Sequence, residues 1–437
     1  MLPTLVKKSR LPWAIPLLAL LAGAQMSASM NLEQAVARAL DVSPHVKSAQ
    51  ASIEVAQARL RQARSDYYPQ INNSGLAKAG LSGALNGLQP VGLPNSPFHR
   101  NFADAVNFYH PGLDFGRTKH SVGIARRRIQ ALEADLEATQ ASVALDTVVL
   151  FYEVIRAKRT LHAAQKSTAG RELTVRQARA FYEGQIRSKV DLSLAEADLS
   201  EALLMELEAR TAVEGAQARL ASALGDLDAR NYDLADPDLT LPEIEPLDSL
   251  ITEGLANRPE LNALAARREA GVETVSLARS RRKPMLSMFL SGGWARFNPL
   301  TISNLLAIGT GLSLPLFTFG KMEGAIEEAE ARVRLLDHEI EDLQLSVRLQ
   351  TRLAHQGLEQ AVRSVPLAEQ RQDASREAVR LARARYRQQL GSLVELSQVE
   401  SMLADSEAAS QRAVLDAKTA EARLAYIVGR AFPIRSR

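Results

Sequence analysis

The chain of 437 residues is 46% hydrophobic but only 5% aromatic, which is a thin supply for one large globular core. It has no cysteine, and this excludes disulfide bonds, thiolate metal sites and a lipid-bearing N-terminal cysteine. The seven histidines are scattered without a close pair, so neither a metal site nor a cofactor is predicted.

Residues 1–28 have the pattern of a secretory signal peptide, with small residues for cleavage near residue 24 or 28. The apolar run at residues 11–21 follows the basic residues Lys7, Lys8 and Arg10. A membrane anchor is the alternative, but this run is shorter than the roughly 20 residues needed to cross a bilayer. Removing the segment lowers the formal net charge from +3 to zero, since it holds three basic residues and no acid. The mature chain then has no basic patch interleaved with aromatics, and no nucleic-acid binding is predicted.

The rest of the chain is a duplication. Residues 29–228 are repeated in the same order by residues 247–430, with an irregular connector at residues 229–246 and a C-terminal tail at residues 431–437. A unit of about 200 residues is far longer than the roughly 20–50 residues of solenoid repeats. One architecture is therefore predicted to be built twice.

Two offsets relate the two copies. Pro44 matches Pro259 at an offset of 215 positions, whereas Gly116 matches Gly320 at an offset of 204. The first copy therefore carries 11 extra residues between these two points, and they are expected in one loop.

Each copy is predicted to open with two helices. In the first copy a short amphipathic helix covers residues 32–40, and Ser43 as N-cap with Pro44 in the first helical position begins the next helix. Large apolar residues then recur every seven positions, and an alanine follows each of them three places later. These small residues let neighbouring helices approach closely; the large residues are Val46, Ile53 and Leu60.

Two strands are predicted in each copy, at about residues 70–85 and 102–113, and at about residues 285–297 and 305–316. An exposed loop with three prolines, residues 86–100, separates the first two. In the last strand, large apolar residues alternate with Gly309, Gly311 and Ser313. This alternation suits a strand with lipid on one side and a lumen on the other, and a strand on an ordinary buried core is the alternative.

A very long helix is predicted after Gly116 and again after Gly320, each with a sevenfold apolar stripe. From Gly116 to Tyr182 the chain covers 66 positions, or roughly 100 Å of helix, which is too long for a compact core. Pro366 is predicted to interrupt and kink the second long helix because it removes a backbone hydrogen bond. Both long helices then turn back on themselves, so each copy ends in a helical hairpin.

In this order of elements the chain resembles the TolC-type outer membrane efflux protein family, the outer membrane factors. The resemblance covers everything after the signal peptide and rests on doubled motifs: ALDVSPHV and GLANRPEL, HPGLDFGRTK and LPLFTFGKME, and the turn segments FYEGQIRSKVDLSLAE and RYRQQLGSLVELSQVE. It implies a mainly α-helical fold with a transmembrane β portion, located in the outer membrane of a Gram-negative bacterium. It also implies a homotrimer whose chains share a 12-stranded β-barrel, continued through the periplasm by a long α-helical barrel. The strands of one chain could not close a barrel alone, and open strand edges are not tolerated in lipid, which agrees with a trimer.

The resemblance also implies a periplasmic gate at the hairpin turns. Glu395 matches an acidic position that lines the entrance in the family, and Gln398 stands where the family often has another acid. Asp191 is the equivalent of Glu395 in the first copy, and a ring of such acids attracts cations. Capping of the return helices, worth about 0.3–1 kcal/mol, is the alternative for both acids. From the same resemblance, Tyr386 and Arg187 are expected to link neighbouring coils and hold the turns shut.

The hairpin turns are also the predicted docking surface for a periplasmic adaptor (membrane fusion) protein. The turn residues assigned to this surface are Gly184, Gln185, Ser188, Leu390, Gly391 and Ser392. Simple solvent-exposed turns are the alternative. Aromatic residues flank the strands and suit an interfacial belt in outer membrane lipid, with core packing as the alternative; they are Tyr67, Tyr68, Phe115, Trp294, Phe297 and Phe319.

No catalytic signature is present, whether a glycine-rich phosphate loop, an HExxH motif or a nucleophile elbow, and the chain is not predicted to be an enzyme. The predicted function is a passive outer membrane channel of a tripartite efflux or type I secretion system. Docking of the adaptor and of an inner-membrane RND or ABC-type transporter would open it. The alternative is a periplasmic coiled-coil adaptor or structural protein without a barrel, in which the alternating segments form a soluble sheet.

Overall fold

The computed structural model describes residues 29–81, 98–226, 232–298 and 301–430. The predicted signal peptide (residues 1–28) and the C-terminal tail (residues 431–437) lie outside the described residues. The same holds for the first predicted strand beyond residue 81 and for part of the predicted loop that follows it.

Long helices account for most of the described chain. The helices are α1 (Leu32–Val42), α2 (Pro44–Ser65), α3 (Arg117–Glu183), α4 (Lys189–Ala223), α5 (Leu247–Asn257), α6 (Pro259–Ser280), α7 (Lys321–Arg387) and α8 (Leu393–Ile427). The strands are β1 (Gln70–Leu81), β2 (Phe98–Leu113), β3 (Met285–Asn298) and β4 (Thr301–Ser313). Both halves therefore run helix, helix, strand, strand, long helix, helix.

The duplication extends to the backbone geometry. α3 and α7 both have 67 residues, and α4 and α8 both have 35. Left-handed backbone at non-glycine residues recurs at the offset of 204: Phe115 (φ 53°) matches Phe319 (φ 48°), and Gln185 (φ 58°) matches Gln389 (φ 64°). Since this conformation is uncommon outside glycine, its repetition shows that both copies make the same turns.

The sequence explains where the shorter helices begin. Asn31 forms a capping box with Gln34, in which each side chain accepts a hydrogen bond from the other residue's backbone N–H. Pro44 and Pro259 occupy the first positions of α2 and α6, where the missing N–H costs nothing.

The largest hydrophobic cluster lies where α1, α3, α4 and α8 meet, about halfway along the long helices. Phe151, Leu220 and Leu415 are fully buried there. Among the described helices, α3 alone is long and apolar enough to cross a membrane by length and composition, and 39% of its most apolar window is buried inside the chain.

Pro366 does not break the second long helix. α7 is continuous from Lys321 to Arg387 with Pro366 inside it, so the predicted interruption is wrong. The adjacent Val365 is buried against Ala413 and Ala417 of α8. This packing against the neighbouring helix compensates for the one backbone hydrogen bond that proline removes.

The four strands form one antiparallel sheet in the order β1-β2-β3-β4. β2 begins at Phe98, inside the segment predicted to be loop, and β4 begins at Thr301, earlier than predicted. β4 ends at Ser313 and not at residue 316, because Pro315 has no N–H to donate to a neighbouring strand. In the described part of the chain, β1 pairs only with β2 and β4 only with β3, so each has one open edge.

The two faces of the sheet differ in chemistry. On one face, the Asn107 amide donates to Ser74 Oγ at 2.7 Å, and Ser291 Oγ donates to the Asn107 amide oxygen at 2.7 Å. The other face carries Leu290 directly opposite Ile308 on the next strand. Ile308 is 82% exposed in the single chain, so a large apolar surface has no protein cover. The alternation predicted for β4 is therefore present as one polar and one apolar face.

Asp114 fixes the junction between β2 and α3. Its carboxylate accepts hydrogen bonds from the backbone N–H of Gly116 at 2.9 Å and of Thr118 at 2.7 Å. Burial acts to raise the pKa of Asp114, but hydrogen bonds from Thr118 and Gly116 and the charge of Arg117 outweigh it, so this pKa is lowered. The carboxylate thus caps the first turn of a 67-residue helix.

We expect Asp114→Ala to lower the free energy of unfolding by about 0.5–2 kcal/mol, the usual value of such a cap. Because the folded-state pKa is lowered, the stabilisation is complete above the unfolded-state pKa and is lost as pH falls through the folded-state pKa. Urea unfolding at several pH values should therefore show the difference at neutral pH and its loss in acid. A difference that is unchanged in acid would contradict this assignment.

Candidate functional site at the hairpin tips

Two helical hairpins end the molecule on the side opposite the sheet. α3 turns into α4 at residues 184–188, and α7 turns into α8 at residues 388–392. Gln185 and Gln389 adopt left-handed backbone in these turns. Ser392 then caps α8, since its Oγ accepts a hydrogen bond from the Glu395 N–H at 3.1 Å.

Arg187 joins the two tips. Its guanidinium donates to the Gly391 carbonyl oxygen at 2.8 Å and, more weakly, to the Gln389 carbonyl oxygen at 3.4 Å. The same guanidinium lies 5.9 Å from the centre of the Tyr386 ring, within the range of a cation–π contact. We call these contacts of Arg187 with Gly391, Gln389 and Tyr386 the tip clasp.

Tyr386 anchors the tip clasp from inside. It is fully buried, and its ring packs edge-on against Phe181 with centroids 5.7 Å apart. Burial raises the pKa of Tyr386, the charge of Asp191 raises it further, and Arg187 opposes both. The sequence-predicted pair Arg187 and Tyr386 is thus brought together, between the two hairpins of a single chain.

Glu395 lies in the first turn of α8, close to a basic residue of α7. Its carboxylate is 3.6 Å from the guanidinium of Arg385, and both side chains are about half exposed. Gln398 is exposed one turn further along α8. Asp191 occupies the equivalent first turn of α4, where its carboxylate has neither a hydrogen bond nor an ion pair within the described residues.

Arg385 was not predicted as a partner of Glu395. The signal available in the sequence was its place in the last turn of α7, because a short connection brings the end of one helix beside the start of the next. The neighbouring positive charge of Arg385 partly cancels the electrostatic field of the Glu395 carboxylate at the tip.

The predicted docking residues lie at the end of the molecule, and five of the six are exposed: Gly184, Gln185, Ser188, Leu390 and Ser392, with Gly391 partly covered. Three further apolar residues of the same turns, which the sequence did not single out, lie near Leu390. Ile186, Val190 and Val394 are 48%, 65% and 61% exposed, and Leu390 is 69% exposed. Ile186 matches Leu390 and Val190 matches Val394 at the offset of 204, so both hairpins carry the same exposed apolar pair. This repetition is the signal that could have revealed them.

The described residues contain no group of three or more histidine, aspartate or glutamate side chains arranged to hold a metal ion. Arg187 is instead engaged with backbone carbonyls, and Arg385 is paired with Glu395. This arrangement can hold the two hairpins together and can set an electrostatic potential at the tips.

A family model described as outer membrane efflux protein matches residues 35–226 and 250–430. The chain belongs to the outer membrane efflux protein family. The outer membrane efflux protein BepC of Brucella suis is 21% identical over 344 residues, which are 78% of this chain and 72% of BepC. The predicted family and outer membrane location are thereby confirmed.

Solved structures show the same fold. The outer membrane channel CmeC of Campylobacter jejuni superposes with a TM-score of 0.81 at 18% identity, covering 98% of this chain and 94% of CmeC. The outer membrane protein VceC of Vibrio cholerae gives a TM-score of 0.79 at 20% identity, covering 92% and 96% of the two chains.

For this outer membrane efflux protein, the predicted class of function, an outer membrane channel, is confirmed. The alternative of a periplasmic adaptor with a soluble sheet is wrong, because the matching family consists of outer membrane proteins. The family is one of channels and not of enzymes.

Proposed function

We propose that this outer membrane efflux protein is one third of a homotrimeric, passive exit duct in a tripartite efflux or type I secretion system. The observation that carries the proposal is the four-stranded sheet with two open edges and one exposed apolar face. Backbone groups at an open edge cannot remain unpaired in lipid, so β1 of one copy must pair with β4 of the next. Three copies then supply twelve strands, enough to enclose a lumen.

An exposed leucine stripe on α7 supports the same assembly. Leu353, Leu367 and Leu381 are 58%, 66% and 49% exposed and are spaced by two heptads. Such a stripe on one face of a long helix is typical of a seam with another helix. We assign it to contact with a neighbouring copy, which would continue the cylinder of helices below the barrel.

The tip clasp is proposed as the closed gate of this duct. Arg187 holds the first hairpin against the second through two hydrogen bonds and one cation–π contact, in addition to the apolar packing of Tyr386 on Phe181. In this proposal Asp191, Glu395 and Gln398 line the entrance beside the clasp. In this proposal the energy for transport comes from an inner-membrane RND or ABC-type transporter.

The exposed apolar pairs at the tips are the proposed landing site for a periplasmic adaptor. Ile186 and Leu390, together with Val190 and Val394, present matching apolar groups on both hairpins. In a trimer this surface would appear six times around the end of the duct, in two alternating versions. Burial of these side chains by the adaptor would supply binding energy that can be used to open the clasp.

The assembly and its partners can be tested together. Membranes of the native host should yield a trimer that resists detergent unless boiled and that co-purifies with an adaptor and a transporter after mild cross-linking. A duct reconstituted alone in planar bilayers should conduct poorly, and addition of the purified adaptor should raise its conductance. A detergent-extracted monomer without pore activity would refute the proposal.

The pair Arg385–Glu395 makes a prediction about ion selectivity. We expect Glu395→Ala to lower the cation preference of the channel and Arg385→Ala to raise it, because each change leaves the other charge uncompensated. The interaction between two exposed charges contributes about 0.2–1 kcal/mol. The ratio of cation to anion permeability should therefore change by no more than about fivefold in each variant. Reversal potentials in a salt gradient measure this ratio. Equal reversal potentials in both variants would leave Glu395 with only its capping role.

A further inference from the structure

A buried charge network joins all four helices of the two hairpins above the tips. Arg171 of α3 donates to the Asp198 carboxylate of α4 at 3.0 Å, and to Ser397 Oγ and Ser401 Oγ of α8 at 2.9 and 2.7 Å. Glu400 of α8 lies 3.7 Å from Arg171 Nε and accepts a hydrogen bond from Arg383 Nε of α7 at 2.9 Å. We call this set, Arg171, Arg383, Asp198, Glu400, Ser397 and Ser401, the Arg171 node.

The Arg171 node is well suited to hold helices together. Arg171 and Glu400 are only 6% and 7% exposed, so their interactions are little screened by water. Two arginines face two carboxylates, so the charges of the node balance, although Arg383 and Asp198 are partly exposed. Nearly the whole donor fork of Arg171 is engaged, which fixes the relative position of the two hairpins as well as binding them.

The node departs from the pseudo-symmetry of the chain. Arg383–Glu400 repeats the pair Arg179–Glu196 at the offset of 204. The equivalent of Arg171 in the second copy, however, is Ser375. Arg179 and Glu196 form their ion pair without an arginine at the position equivalent to Arg171. The pair Arg383–Glu400 therefore does not need Arg171 to hold its own hairpin together. Arg171 therefore serves the contact between hairpins.

Arg171 lies well above the tip clasp along α3. Arg171 lies 12 residues before Glu183, the end of α3, which is about 18 Å of helix. The tip clasp lies beyond that end. A cavity of about 190 Å³ adjoins the node on the side of Glu400, whose Oε2 has no hydrogen-bond partner within the described residues. This volume is large enough for water to reach Glu400 when the helices shift.

We propose that the Arg171 node is a second contact that holds the two hairpins together, in addition to the tip clasp. When the clasp opens, roughly the last 18 Å of the hairpins move apart while the node stays in place and acts as the pivot. The proposal rests on the gate proposed above. While the node is intact, release of the clasp separates only the segment below it. Loss of both contacts lets the hairpins part over a greater length and widens the entrance further.

A double substitution tests this arrangement of two contacts. We expect the open-to-closed ratio of the Arg187→Ala/Arg171→Met channel to exceed that of Arg187→Ala by about tenfold, which corresponds to about 1.4 kcal/mol. Arg171→Met alone should change little, because the clasp still closes the tip. The milder change Ser397→Ala/Ser401→Ala, which leaves no charge unpaired, should act in the same direction when combined with Arg187→Ala.

Arg258 provides a matched control. Its side chain is 8% exposed, as is that of Arg171, and it pairs with Glu260 at 3.1 Å, but at the start of α6 far from the tips. Arg187→Ala/Arg258→Met should be less stable than Arg187→Ala without a higher open-to-closed ratio. An equal rise in the two double variants would overturn the proposal. So would the absence of a rise with Arg171→Met if the distance between the two tips also stays unchanged.

Distances between spin labels can show whether the proposed role of the Arg171 node fails or the proposed gate fails. The chain has no native cysteine, so labels at Glu183→Cys and Gln388→Cys report only the two tips. In trimers diluted with unlabelled chains, the label distance should widen from Arg187→Ala to Arg187→Ala/Arg171→Met. Widening without any change in conductance would refute the gate and retain the node, whereas unchanged distances would refute the node whatever the conductance.

Discussion

Replacing Ile308 by arginine is expected to abolish the detergent-resistant trimer in the outer membrane. Ile308 lies in the middle of β4 on the apolar face and is 82% exposed in the single chain. If this face contacts lipid, an arginine there costs about 2–4 kcal/mol in each copy. The measurement is heat-modifiable migration of the outer membrane fraction on a gel, compared with the unsubstituted protein.

The neighbouring residue gives the matched control. Ala307 is also exposed, but its side chain points to the opposite face, which carries the polar group of Ser74, Asn107 and Ser291. Ala307→Arg should therefore leave the trimer intact, because a lumen accepts charge. Equal loss of trimer in both variants would show that the two faces are not divided between lipid and lumen.

Removal of the tip clasp should open the duct. We expect Arg187→Ala to raise single-channel conductance in planar bilayers, because the hydrogen bonds to the Gly391 and Gln389 carbonyls and the contact with the Tyr386 ring are all lost. Hydrogen bonds from a charged group contribute about 1.5–3 kcal/mol when buried. Arg187 is partly exposed, so a shift of about tenfold in the open-to-closed ratio is the expected scale.

Lys189 separates the effect of contact from that of charge. It is a cation on the same hairpin, exposed and without an ion pair within the described residues. Lys189→Ala removes the same charge as Arg187→Ala, yet it should leave the conductance nearly unchanged. If the two variants conduct alike, the closed state depends on the net charge of the tip and not on the clasp.

The duplication and the hairpins were predictable because their signals are local. A proline at the first position of a helix and a glycine at a tight turn express constraints on φ that act within a few residues. The offsets of 215 and 204, read from Pro44 and Gly116 and their partners, therefore matched the observed elements. The apolar alternation of β4 was equally clear in the sequence, since strand side chains alternate between faces.

The remaining features depend on contacts between distant segments. Pro366 suggested a break in α7, but packing of Val365 against α8 outweighs the missing hydrogen bond. The start of β2 at Phe98 follows a proline-rich segment whose turn signals concealed it. The Arg171 node joins residues that are up to 230 positions apart, and no periodic pattern indicates such a meeting.

The open sheet has a consequence for how stability is expressed for this protein. In the proposed trimer, neighbouring copies complete the strand edges and cover the α7 stripe, so the free energy of unfolding of each chain includes its association with the others. Folding and association become a single equilibrium, so the thermal midpoint depends on how much protein is present. Chain concentration is thus as much a determinant of the native state as temperature or denaturant.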